Sequence, residues 1–252
     1  MRVRTRSLLA AGLSAAALTV LPATAGADGF PLVGWWPMNE GSGQVIHDWS
    51  GYGNNGTLGN SPGADDQDPA WIRGVFAGSA LSFGGNDMVR IPDSTSLEPA
   101  NVTVAAWIRG TGSPGQYKYV VSKGANGCAS GSYGLYTSAN GGLAFYIGDG
   151  SQDYVRSPEA PTSVWDGKWH DAAGTYDGKT VRLFIDGVEV GSGTSSSTPI
   201  VYNPPDGGGL IGAYGGCDLF FVGDVDGVQI WSRALPVADI WRILKTLFTS
   251  SR

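Results

Sequence analysis

The sequence has 252 residues, of which 42% are hydrophobic, so it is long enough to bury one large core. It contains 40 glycines, 9 Trp, 10 Tyr and 8 Phe but only 15% charged residues, which excludes disorder and favours short strands joined by tight turns. The formal net charge of −6 argues against a nucleic-acid partner, because binding to phosphates rewards Lys and Arg.

The N-terminus has the pattern of a secretory signal peptide. Three arginines lie within the first six residues, an apolar run follows from Leu8 to Leu21, and small residues of the Ala-x-Ala type end at Ala27. The run is too short to span a membrane comfortably, and no later segment is apolar for long enough. We therefore expect a signal peptide over residues 1–27, one domain over 28–252, and a secreted, extracellular protein with no membrane span.

Short apolar segments separated by turn residues recur along the rest of the chain. The predicted strands are residues 32–36, 80–83, 88–91, 102–108, 119–122, 133–136, 143–147, 169–176, 181–185, 188–190, 210–213 and 225–231. The sequence Gly-Gly-Asn-Asp after residue 83 and the pair Asp186-Gly187 both indicate hairpins. With no helices between the strands, this pattern predicts an all-β fold, an antiparallel two-sheet β-sandwich of the jelly-roll type.

Apolar residues at helical spacing predict one short C-terminal helix over residues 237–248. We expect it to pack on the sandwich, and a membrane-surface anchor is the alternative. The chain has two cysteines, Cys128 and Cys217. In a secreted protein such a pair is expected to form a disulfide, with two buried free thiols as the alternative.

Five segments together resemble the laminin-G-like (concanavalin-A-like lectin/glucanase) jelly-roll family of secreted bacterial proteins. They are residues 34–43 (GWWPMNEGSG), 48–57 (DWSGYGNNGT), 102–107 (VTVAAW), 166–170 (DGKWH, followed by Asp186-Gly187) and 223–235 (GDVDGVQIWSRAL). One departure is Asp171, where the family often has a second histidine. The resemblance covers nearly all of residues 28–252 and implies the sandwich fold, but that fold hosts lectins, adhesion modules and glycan-cleaving enzymes.

The residues that glycan cleavage would need are mostly missing. Similar enzymes carry Glu-x-Asp-x-x-Glu along one strand, and that motif is absent here. Asp149 and Asp153 could share a face, but a solvated pair of loop residues is the better interpretation. The only histidines are His47 and His170, and no Gly-x-Ser-x-Gly motif occurs. We therefore expect no catalytic residues, with a polysaccharide-cleaving hydrolase or lyase as the alternative.

The resemblance also implies a structural calcium ion. Asp226 begins the last strand, at a position that often holds a cation in similar jelly rolls, and Glu40, Asp48 and Asn54 are the nearest oxygen donors within the matching motifs. Calcium prefers such mixed carboxylate and amide oxygens. The alternative is that Asp226 and Asp48 accept hydrogen bonds within turns.

Aromatic side chains on neighbouring strands suggest a sugar-binding face. Tyr136 and Tyr146 lie on adjacent predicted strands, Tyr154 follows soon after, and Asp149 could hydrogen-bond a sugar hydroxyl. The alternative is that these rings belong to the core, as we expect for Trp35, Trp107, Trp169 and Trp231. The favoured function is a secreted, non-catalytic, carbohydrate-binding (lectin-like) module. A protein-binding adhesion module, presenting a contiguous apolar patch, is a further alternative.

Overall fold

The computed structural model describes residues 31–75, 78–124, 131–149, 154–202, 208–215 and 217–240. Within these ranges the chain forms seventeen strands: β1 (Leu32–Trp36), β2 (Val45–Ile46), β3 (Gly56–Leu58), β4 (Ala70–Arg73), β5 (Ser79–Gly84), β6 (Val89–Ile91), β7 (Val102–Arg109), β8 (Tyr119–Lys123), β9 (Tyr133–Thr137), β10 (Leu143–Gly148), β11 (Tyr154–Arg156), β12 (His170–Tyr176), β13 (Thr180–Ile185), β14 (Val188–Glu189), β15 (Thr194–Ser195), β16 (Gly209–Ile211) and β17 (Val222–Trp231). Two short 3₁₀ helices cover Thr95–Leu97 and Thr162–Val164. The predicted signal peptide lies outside the described residues.

The strands form two sheets. The first sheet has the order β14-β13-β12-β7-β17-β5-β4, with β1 paired to β17 and β15 paired to β13. The second sheet has the order β11-β10-β9-β8-β16-β6-β3-β2. Neighbouring strands pair antiparallel in both sheets, for example β7 with β12 and β8 with β16. The predicted all-β, two-sheet antiparallel sandwich is confirmed.

The central strand β7 shows how the core forms. Its even-numbered residues, such as Val104 and Ile108, lie in the main core cluster together with residues of the second sheet such as Phe145. Ala105 and Trp107 lie in a separate cluster, on the outer face of the first sheet. Alternate residues of a strand point to opposite faces, so β7 is buried on both sides and both of its faces are apolar.

The C-terminal segment helps to cover the outer face of the first sheet. Residues 237–240 are helical, and the rest of the predicted helix lies outside the described residues. Ile240 and Leu235 pack with Trp231 and Trp107 in this outer cluster. The two tryptophans are therefore buried as expected, although they lie outside the space between the sheets. Among the described residues, no helix is long and apolar enough to cross a membrane.

The two predicted hairpins have different outcomes. Strands β13 and β14 pair around Asp186 and Gly187, whose φ angles of 50° and 74° fit a type I′ turn. The hairpin predicted around Gly-Gly-Asn-Asp is wrong, because β5 belongs to the first sheet and β6 to the second. The turn residues reverse the chain, but Phe83 and Val89 enter the core from opposite sheets.

Candidate functional site

One row of paired residues crosses the outer face of the second sheet. In order from β2 to β11 it consists of Val45, Thr57, Arg90, Leu210, Ser122, Gly134, Tyr146 and Arg156. On β6, Val89 and Ile91 lie in the core, so Arg90 between them faces outward. This outer face is divided into two regions, one filled by aromatic rings and one forming a groove.

The first region is a tyrosine cluster, made of Tyr119, Tyr136, Tyr146, Tyr154 and Tyr214. The ring centroids of Tyr119 and Tyr214 are 4.3 Å apart, and those of Tyr119 and Tyr136 are 5.3 Å apart. Tyr146 meets Tyr136 edge-on at 5.2 Å and Tyr154 at 5.8 Å. Such contacts between rings are favourable beyond the area that they bury.

The structure corrects the predicted exposure of two of these tyrosines. Tyr136 and Tyr146 are only 1% and 3% exposed to solvent, whereas Tyr154 is 45% exposed. The Tyr146 ring lies over Gly134, where a Cβ atom would be only 2.8 Å from its Cε1 atom. Burial raises the pKa of the Tyr136 and Tyr146 phenols. Two of the predicted binding rings thus pack within the cluster, and Tyr154 alone is open to a ligand.

Other predicted residues of this face are described only in part. Asp149 directly follows β10 and is half-buried. Asp153, its proposed partner in catalysis, lies outside the described residues. Tyr154 and Arg156 line a shallow cavity of about 550 Å³ at the edge strand β11, where Arg156 approaches Glu159 at 3.6 Å.

The second region is a groove of about 670 Å³ beside the tyrosine cluster. Its floor is formed by Thr57, Arg90 and Leu210, from β3, β6 and β16. Its other lining residues are Gly59, Asn60, Ser61, Pro62, Gln67, Met88, Ile91, Pro92, Tyr214, Gly215, Cys217, Asp218 and Phe220. Apolar groups such as Leu210 and Phe220 therefore lie beside exposed polar side chains.

Sequence reasoning did not find this groove. Its residues come from loops and strands that are far apart in the chain, and they carry no common motif. One signal was available: in the segment Val89-Arg90-Ile91 a charged residue lies between two apolar ones. The period of a strand places such a residue on the outer face.

Asp48 is held by hydrogen bonds that compete with a metal. Its Oδ1 atom accepts from the backbone N–H groups of Trp35 and Ser50, at 2.9 and 2.8 Å. Its Oδ2 atom accepts from the Ser50 hydroxyl and the Asn54 backbone N–H, both at 2.8 Å. Four donors use the four lone-pair positions of a carboxylate. The structure therefore favours the turn-forming alternative for Asp48 over the metal-ligand prediction.

Two of the remaining predicted metal ligands, Asn54 and Glu40, also take part in hydrogen bonds within the protein. The Asn54 side-chain amide donates to the Val33 carbonyl and the Ser96 hydroxyl. Glu40 accepts the His47 backbone N–H through Oε1, at 2.8 Å. In the described ranges, no three His, Cys, Asp or Glu side chains are placed to hold a metal ion together.

Asp226 does retain a feature that suits a cation. It is 3% exposed; its Oδ2 atom accepts from the Val75 backbone N–H at 3.0 Å, and its Oδ1 atom has no hydrogen-bond partner. Burial raises the pKa of Asp226 to about 7. A cation at Oδ1 would offset the cost of burying this charge, so calcium at Asp226 stays a prediction that would rely on backbone carbonyl ligands.

The predicted disulfide also stays a prediction. Cys217 lines the groove, and no free cysteine is found within the described parts of the chain. Cys128 lies outside them. The bond would tie the loop after β16 to the segment between β8 and β9.

Comparison with known protein families identifies the fold. The model of a family described as the concanavalin A-like lectin/glucanases superfamily matches residues 83–241, more than half of the chain. Comparison with curated proteins finds no match.

Several solved structures share the fold. Domain 4 of AbnA, a GH43 extracellular arabinanase from Geobacillus stearothermophilus in complex with arabinotriose, has a TM-score of 0.63 at 18% identity, over 84% of this chain and 97% of that domain. The binding domain of botulinum neurotoxin DC, in complex with rat synaptotagmin II, has a TM-score of 0.63 at 12% identity, over 86% of this chain and 52% of the other. Trypanosoma rangeli sialidase in complex with sialic acid has a TM-score of 0.58 at 18% identity, over 92% of this chain and 35% of the other.

At these identities the similarity establishes the fold alone. The chain spans nearly the whole arabinanase domain, but about half of the toxin domain and a third of the sialidase.

Proposed function

Because the chain belongs to the concanavalin A-like lectin/glucanases superfamily, we propose that it is a secreted, non-catalytic module that binds carbohydrate in the groove of the second sheet. The observation that carries this proposal is the groove itself. Its volume of about 670 Å³ lies within the roughly 300–1,000 Å³ of small-molecule sites.

The lining of the groove suits a sugar. A sugar ring has apolar C–H faces and a rim of hydroxyl groups. Leu210 and Phe220 are half-buried and present apolar surface, while Asn60, Gln67 and Asp218 carry polar groups for hydroxyls. A site built from a few polar groups among apolar ones is typical of ligand binding.

The small number of acidic residues in the groove favours binding of a glycan over its cleavage. Among the described residues that line it, Asp218 is the one carboxylate. Glycoside hydrolysis usually needs two carboxyl groups on opposite sides of the scissile bond. The arabinanase domain in complex with arabinotriose adds support, since a domain of the same fold is there seen with an oligosaccharide.

A glycan-binding experiment tests the proposal. The full chain is applied to a glycan array and to insoluble polysaccharides, and Phe220→Ala and Leu210→Ala are compared with the wild type. We expect both variants to lose most of the retention. Tyr154→Ala removes an exposed ring outside the groove, so it should bind like the wild type.

The same incubations separate binding from catalysis. We expect no reducing sugar and no unsaturated product above a heat-treated control. Steady release of product would contradict the non-catalytic proposal and would show that the protein is a polysaccharide-cleaving enzyme. Retention that is lost in Tyr154→Ala but kept in Phe220→Ala would move the site to the edge strand β11.

A further inference from the structure

Arg90 occupies the centre of the groove floor. Its direct neighbours across the sheet are Thr57 on β3 and Leu210 on β16. Both neighbours are uncharged, and so are Val45 and Ser122, the next two residues of the row. The Arg90 side chain is exposed, so its guanidinium group is accessible to a ligand in the groove.

The charge of Arg90 has no partner among the residues that the structure describes. Some arginines of the sandwich pair with carboxylates, for example Arg109 with Asp224 at 2.7 Å and Arg182 with Asp177 at 3.2 Å. Within the described parts of the chain, no hydrogen bond or ion pair is formed by the Arg90 side chain, although the chain carries a net charge of −6.

The other described side chains of the groove do not neutralise Arg90. Asn60 and Gln67 are neutral, and the exposed Asp218 is not within ion-pair distance of the guanidinium. The groove floor therefore presents five N–H donors and one positive charge, with no counter-charge among the described residues. A guanidinium matches a carboxylate in shape as well as in charge, because two parallel N–H groups can meet its two oxygens.

We propose that the groove selects glycans that carry a carboxylate, with Arg90 binding that carboxylate through two hydrogen bonds. This inference rests on the proposed carbohydrate-binding function and names its ligand class. A uronic acid in a polysaccharide and a sialic acid at the end of an oligosaccharide share this chemistry.

Matched pairs of ligands test the selection. Binding of the full chain is measured by calorimetry to tetragalacturonate and to its methyl ester, and to 3′-sialyllactose and lactose. In the first pair, esterification replaces each carboxylate by a neutral methyl ester and leaves the sugar chain unchanged, and the two pairs distinguish the two sources of the carboxylate. We expect the acid of at least one pair to bind tenfold or more tightly than its neutral partner, and added salt to weaken that preference.

Three variants assign the preference to Arg90. Arg90→Gln should bind the acid and its neutral partner equally, and Arg90→Lys should keep part of the preference, since it keeps the charge but loses the paired donors. Asp218→Asn removes the one acidic residue among the described residues that line the groove and should preserve or increase the preference. Arg73→Gln, which removes an exposed arginine of the first sheet, should bind like the wild type.

The possible outcomes distinguish a failure of this inference from a failure of the proposed carbohydrate-binding function. Equal binding of acids and neutral partners by the wild type, or an undiminished preference in Arg90→Gln, would overturn the role of Arg90 and leave carbohydrate binding in place. Failure of the wild type to bind any glycan, acidic or neutral, would overturn both.

Discussion

Gly174 of the first sheet faces Phe145 of the second sheet so closely that the phenyl ring lies where a side chain at position 174 would begin. Gly174 belongs to β12 and Phe145 to β10, and the ring is fully buried in the core. The absence of a Cβ atom at this position lets the two sheets approach. The close approach of β12 and β10 at this point depends on this pair.

Replacing Gly174 with alanine should destabilise the protein. The added methyl group must displace a buried aromatic ring, and overpacking of this kind costs about 1–3 kcal/mol. Urea unfolding of Gly174→Ala measures the loss. Gly63→Ala is the matched control, because a Cβ atom there meets nothing within 4 Å, and it should change the free energy of unfolding by less than about 0.5 kcal/mol. A Gly174→Ala variant as stable as the control would contradict the close packing.

The stability of the protein should fall as pH rises because of Asp171. Both carboxylate oxygens of this buried residue are without a hydrogen-bond partner, and burial, with a smaller effect of Asp186, raises its pKa to about 8. The folded chain therefore holds a proton that the unfolded chain releases near pH 4, and this stabilisation is lost between about pH 4 and pH 8. At pH 8, Asp171→Asn should be more stable than the wild type by about 1–3 kcal/mol.

Unfolding of the two proteins at pH 5 and pH 8 measures this difference. His170 contributes in the same direction: burial lowers its pKa, but hydrogen bonds to Asp186 and Asp166 outweigh that effect and raise it overall. Because His170 is present in both proteins, its contribution cancels when the free energy of unfolding of the wild type is subtracted from that of the variant. A difference that does not grow from pH 5 to pH 8 would contradict the raised pKa of Asp171.

Asp48 should stabilise the protein through its hydrogen bonds, without a bound metal. Asp48→Ala leaves three backbone N–H groups, those of Trp35, Ser50 and Asn54, without their acceptor, at a cost of about 2–4 kcal/mol. Thermal unfolding with a chelator present measures this loss. Asp66→Ala, at an exposed aspartate of another loop, serves as the control. If the effect of Asp48→Ala disappeared in chelator, Asp48 would act through a cation instead.

Calcium at Asp226 is tested by the melting temperature. A ligand that binds only the folded state adds about 3 kcal/mol when its free concentration is a hundred times Kd. Removing calcium with a chelator should lower the Tm of the wild type by several degrees, and Asp226→Ala should not respond. An unmoved wild-type Tm would count against the site. A shift that persists in Asp226→Ala would place the ion elsewhere.

The disulfide between Cys128 and Cys217 is tested by mass. Alkylation of the denatured chain without reductant should add nothing, and alkylation after reduction should add two labels. Breaking the bond should cost about 2–5 kcal/mol of stability. Two labels without reductant would show free thiols.

The candidate site was predictable only in part. Tyr136, Tyr146 and Tyr154 do lie together, since neighbouring strands of similar pattern pair. The pattern could not show that Tyr119 and Tyr214 join them and that the rings bury one another. Asp48 and Asn54 do meet, because they belong to one loop, but the orientation of the Asp48 carboxylate toward backbone donors depends on the path of β1 beside it.

The sequence by itself determined the fold class and the position of most strands. The reason is that strands and turns are encoded locally, by alternating apolar residues and by turn residues within a few positions of one another. The type I′ turn at Asp186 and Gly187 is of this local kind. Only the tertiary structure decided that β5 and β6 enter different sheets, and that Thr57, Arg90, Leu210 and Phe220 line one groove. The physical reason is that strand pairing between distant segments depends on how all the apolar faces are buried at once, which no short segment encodes.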